Sequence, residues 1–99
     1  MSLTVVITRD VEDRYRGLLS SAMLEAAPGV YVSMALSARA RDTIWQVVED
    51  WHRTLQRGSV TLICADGKAD GGIAVRSVGT PARVPVRIDG ALLMHRVNE

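Results

Sequence analysis

Apolar positions along the chain fall into alternating blocks of strand and helix character. Leu3 to Thr8 is nearly continuous apolar and β-branched, which predicts a central strand buried on both faces and ended by Arg9-Asp10. Val11, Tyr15, Leu18, Leu19, Ala22, Met23 and Ala26 follow at helical spacing. They predict one amphipathic helix, halted by Pro28-Gly29. Gly17 lies inside it and costs about 1 kcal/mol relative to Ala, which suggests a position kept small for close packing. Arg14 and Arg16 fall off the apolar stripe and are expected in solvent.

Val30-Tyr31-Val32 reads as a short strand delivered by the Pro28-Gly29 turn, with a degenerate partner around Met34–Leu36. Ser37 then has the character of an N-cap. Ile44, Val47, Val48, Trp51 and Leu55 predict the buried stripe of a second helix, and Gly58 suits its C′ position. Trp45 is one position off that stripe and is expected to cover a partner or the tail. Val60–Ala65 and Ile73–Val78 predict a hairpin around the two Asp-Gly pairs of DGKADGG. Beyond Gly79, Pro81 and Pro85 impose an extended start. Two further β-like stretches follow, around Val86–Ile88 and Ala91–Met94, separated by Asp89-Gly90. The order β-α-β-α-β-β predicts an α+β sandwich of ferredoxin-like type, with two helices on one face of an antiparallel-rich sheet. Residues 1–79 would form that domain, and residues 80–99 a C-terminal β tail.

Composition narrows the class without deciding it. Ninety-nine residues make one domain, and 47% apolar content with no Phe leaves the packing to aliphatic side chains. No apolar run approaches the roughly 18 residues that cross a bilayer. The opening MSLTVVITRD lacks a charged n-region and a cleavage site, so a cytoplasmic protein without membrane contact is expected. Cys64, inside VTLICA, reads as a reduced core residue. One Cys and two separated His, His52 and His95, cannot build a metal cluster. The net charge of +1 says nothing about nucleic acid, yet eleven of the twelve cations are Arg and only Lys68 is Lys. The planar guanidinium fork suits phosphate, although GC-rich codon usage produces the same count.

Four segments, in order, carry a resemblance: LTVVITRDV, RYRGLLSSAMLE, PGVYVSMALSARARDTIW and TPARVPVRIDGALL. Together they resemble the CRISPR-associated protein 2 family, and more narrowly its subtype I-E branch. The resemblance implies a homodimer that bridges two copies of a partner integrase dimer, CRISPR-associated protein 1. The assembly would hold a short duplex of foreign DNA for insertion into a CRISPR array. It implies DNA-phosphate contacts at Arg14, Arg16 and Arg39, and at Arg83 by a displaced match. Arg14 and Arg16 diverge by about 200° on a helix, so they would track adjacent phosphates rather than one. Solvated helix faces, with Asp42 and Glu49 pairing Arg39 and Arg41, are the alternative. Arg76 and Arg87 complete the basic set of the last strand and tail. Ala27 stands where the family carries a basic residue. The tail would dock the partner through Val86, Ile88, Leu92 and Leu93, apolar enough to add a strand to a neighbouring edge.

The same resemblance implies a competing enzyme. In the wider family an acidic residue ending the first strand is the proposed metal ligand, and two copies facing across a dimer axis would hold Mg²⁺. Asp10 is the candidate catalytic and metal residue for such an endonuclease, of RNA or DNA. Arg9, however, occupies the place where the subtype I-E pattern puts an acidic or polar residue. Asp10 also suits the N-cap of the first helix, with Asp13 favouring the positive helix end. Both readings of Asp10 stand on the sequence alone.

Overall fold

The computed structural model describes residues 2–79, and the backbone of two tail strands at Arg83–Ile88 and Ala91–Arg96. The elements run β1 (Thr4–Arg9), α1 (Asp13–Ser20), β2 (Leu24–Ala27), β3 (Val30–Ser33), α2 (Ala38–Leu55), β4 (Ser59–Ala65), β5 (Ile73–Val78), β6 (Arg83–Ile88) and β7 (Ala91–Arg96), with a single 3-10 turn at Asp70–Gly72. Five strands form one antiparallel sheet in the order β2-β3-β1-β4-β5. This is the ferredoxin-like arrangement with β5 added at the edge beside β4. The tail strands β6 and β7 pair with each other as a separate antiparallel ribbon.

Both helices pack on one face. Tyr15 and Leu19 from α1, and Ile44, Trp45 and Val48 from α2, meet Val6, Tyr31, Val60, Leu62 and Cys64 of the sheet. Cys64 is a buried free thiol, as its apolar setting predicts. β1 is not buried on both faces. Thr4 and Val6 are buried, while Val5 is half-buried and Ile7 is 40% exposed. The helices cover only the even-numbered side, and antiparallel sheets tolerate one open face.

The predicted first helix is split in two. It ends at Ser20, where the Ser20 and Ser21 hydroxyls donate to the Arg16 and Leu18 carbonyls. Met23 continues the apolar stripe into the core, but Leu24–Ala27 turns into β2 and pairs with β3. Pro28-Gly29 is therefore the turn of a hairpin rather than a helix stop. The missing second strand between the helices lies before the turn, not at Met34–Leu36. Ladder hydrogen bonds with β3 override the helical preference of Leu-Glu-Ala-Ala. Gly29, at φ +75°, places its carbonyl to accept from the Thr8 N–H at 2.7 Å and from the Thr8 hydroxyl at 3.0 Å. A Cβ at Gly17 would meet nothing within 4 Å, so close packing is not the reason for that glycine.

The α2 stripe is as expected, with Ser37 accepting from the Ala40 N–H at 3.1 Å as the N-cap. Trp45, predicted to face a partner or the tail, instead belongs to the core at 6% exposure. Its ring is long enough to reach inward from beside Ile44. The left-handed residue that closes α2 is Gln56, at φ 50°, and not Gly58. Gly58, at φ +73°, answers a different demand: a Cβ there would collide with the carbonyls of Arg9 and Asp10. The α2–β4 turn thus rests directly on the β1–α1 turn.

Candidate nucleic-acid interface

That contact builds one end of the helix layer. Asp10 leaves β1 in the left-handed region, φ 56°, a conformation Asp tolerates better than most residues. Its carboxylate accepts from the Arg57 guanidinium at 3.3 Å, both side chains being largely exposed. The N-cap position of α1 belongs to Glu12, whose side chain makes no cap hydrogen bond. Asp10 therefore does not cap the helix, and the carboxylate faces a cation from the α2–β4 turn. Among the described residues, no group of three His, Cys, Asp or Glu side chains could hold a metal ion.

Arg14 and Arg16 are exposed, as their places off the stripe predict. Their partners differ. The Arg14 guanidinium lies over the indole of Trp51, 5.5 Å from the ring centroid. Trp51 in turn meets Tyr15 edge-to-face at 5.2 Å between centroids. Arg16 pairs with Glu25 at 3.3 Å, and Glu25 also accepts from the Gly29 N–H at 3.1 Å. Burial pushes the Tyr15 phenol above its ordinary pKa, with Glu12 adding to the rise and Arg14 opposing it. Burial likewise raises Tyr31, with Glu25 contributing and Arg16 opposing. Asp10, Glu12, Asp13, Arg16 and Glu25 border an open cleft of about 680 Å³ floored by Tyr31. Its lining carries four acids and one base.

Arg39 stands in the first turn of α2, at the opposite end of the helix layer. The rise of an α-helix puts it about 18 Å along the axis from Trp51, and hence from Arg14. The three described arginines do not converge on one point but are strung along the layer. Asp42 does not pair Arg39. It lies 3.8 Å from Arg41 and 3.0 Å from Arg76 of β5. Arg41 is three-quarters or more covered, with its Nε lacking a hydrogen-bond partner among the described residues. The side chains of Arg83, Val86, Ile88, Leu92 and Leu93 lie outside the described residues.

Two features of this end escape sequence reasoning. Arg57 has no motif around it, and its pairing joins residues 47 apart in the chain. Trp51 reads as an ordinary stripe residue, because nothing in its spacing marks it as the platform for Arg14.

Two helices on one side of a β2-β3-β1-β4-β5 sheet, with exposed arginines along the helix layer, define a small α+β domain of ferredoxin-like arrangement. Residues 3–93 match the family model described as CRISPR-associated protein (Cas_Cas2CT1978). The chain belongs to this CRISPR-associated, Cas2-like family, which assigns it a CRISPR-associated role in defence. Among the described residues, no helix is long and apolar enough to cross a membrane.

Proposed function

We propose that this protein is a non-catalytic platform for spacer acquisition, of the subtype I-E branch. In this reading two copies form a dimer that bridges dimers of the integrase, CRISPR-associated protein 1, and binds a short DNA duplex by its phosphates. Arg14, Arg16 and Arg39 from both copies, with Arg83 of the tail, grip the backbone without reading sequence. The tail ribbon β6–β7 docks the integrase through Val86, Ile88, Leu92 and Leu93.

The observation that carries the choice between platform and nuclease is Asp10. Its carboxylate faces Arg57 at 3.3 Å and follows Arg9. A cation beside a hard-metal ligand opposes Mg²⁺ binding, so the arrangement suits structural support of the turn better than metal chemistry. The dimer is supported by the open face of the sheet. There Leu24, Val32, Val5, Ile63 and Val75 stand in register, one from each of the five strands. An apolar row of that length on a face that neither helix covers fits a partner surface.

The test is spacer integration in an assay with the cognate integrase. Asp10→Ala is expected to integrate normally, whereas Arg14→Ala/Arg16→Ala is expected to fail while staying folded and dimeric. Loss of integration in a folded, dimeric Asp10→Ala variant, with Mg²⁺-dependent cleavage in the unmodified chain, would establish the endonuclease reading instead.

A further inference from the structure

The geometry points to Trp51 as the positioning residue for Arg14, its indole face holding the guanidinium ready for a DNA phosphate. This inference rests on the platform reading given above and adds a residue to it.

The contact sequence runs from the core outward. Tyr15 is fully buried and lies edge-on to Trp51 at 5.2 Å and 87°. Trp51 is half-buried, packed against the core on one side and exposed on the other. Arg14 covers that outer side at 5.5 Å, inside the roughly 6 Å range in which a cation is attracted to an aromatic face. A free arginine samples many rotamers, and that freedom must be given up when it grips a phosphate. Stacking removes part of the cost in advance. An aromatic face does this without neutralising the charge, unlike the carboxylate that holds Arg16. Arg14 is therefore both restrained and still cationic, the state that favours binding an anion.

The test measures affinity of the full-length protein for a short DNA duplex across a salt series. Arg14→Ala is expected to weaken binding and to flatten the salt dependence, since an ionic contact is removed. Trp51→Leu is expected to weaken binding about two- to five-fold, the size of an exposed cation–π contact. Its salt dependence should stay unchanged because the charge remains. Trp51→Tyr should restore binding. Arg14→Ala/Trp51→Leu should bind no more weakly than Arg14→Ala alone. A folded Trp51→Leu variant that binds like the unmodified chain, beside a weakened Arg14→Ala, overturns the inference and leaves the platform reading intact. Arg14→Ala without effect overturns the phosphate role of Arg14, and the inference with it.

Discussion

The two faces of the central sheet are built from neighbouring residues of the same strands, yet they live under different rules. On β4, Leu62 points to the helices at 1% exposure, and the next residue, Ile63, points to the open face and is half-buried. On β1, Val6 and Ile7 divide in the same way. The helix-covered face mixes its apolar side chains with Thr4 and Tyr31 and packs against Tyr15 of α1, each placed by packing within one chain. The open face carries an apolar row that neither helix covers. Apolar content alone therefore does not reveal which face closes the fold and which is left for something else. Strand register and helix placement reveal it.

The largest effect should come from comparing the neighbours on β4. Leu62→Ala opens a cavity in a close-packed interior and is expected to cost about 3 kcal/mol. Ile63→Ala, losing a side chain already in partial contact with water, should cost about 1 kcal/mol. Urea unfolding at low protein concentration measures both. Equal losses would mean that the open face is as tightly packed as the core and would remove the distinction.

Much of this arrangement is legible along the chain, and the failures share a cause. The second helix, the β4–β5 hairpin and the tail ribbon each announce themselves through local signals: Ser37 as a cap, the Asp-Gly turns and β-branched runs. The first helix fails because its stripe continues through Met23 although the backbone has left the helix. An apolar residue needed by the core satisfies a helical pattern and a strand equally well. Trp45 fails because an offset of one position from the stripe is within reach of an indole. Arg14 and Arg16 are legible as solvated, and their dissimilar holders, Trp51 and Glu25, are not. Pairings such as Asp10 with Arg57 exist only after two distant turns have been brought together by Gly58. No local pattern encodes them.

The covered face also contains the titrating groups that should set the alkaline limit. Tyr15 and Tyr31 have raised pKa values, chiefly because burial disfavours the phenolate. The folded state thus keeps protons that the unfolded state releases near pH 10. Stability from this source is fully present below that value and is lost as pH rises through the folded-state pKa. Tyr15→Phe should flatten the alkaline limb of the unfolding curve. The Tyr15 hydroxyl lacks a hydrogen-bond partner among the described residues, so its removal should also raise stability at neutral pH by about 1 kcal/mol. A clear destabilisation at neutral pH would show that the hydroxyl has a partner, such as an ordered water.

The smallest change to the isolated chain gives the sharpest test of the open face. Ile7 is 40% exposed there and pairs across the sheet with Val30 and Thr61. Ile7→Thr keeps the β-branch that suits a strand and removes apolar surface from the face. In a dilute, dissociated chain the change should lie within about 0.5 kcal/mol. If two copies meet through this face, each dimer loses two buried isoleucines, and its dissociation constant should rise about tenfold or more. Sedimentation equilibrium on both proteins separates the two quantities. A dimer that ignores Ile7→Thr would place its contact elsewhere, and the apolar row from Leu24 to Val75 would then have to face a different partner. A dimer that weakens while the fold holds would show that the second face of the sheet is completed by another copy.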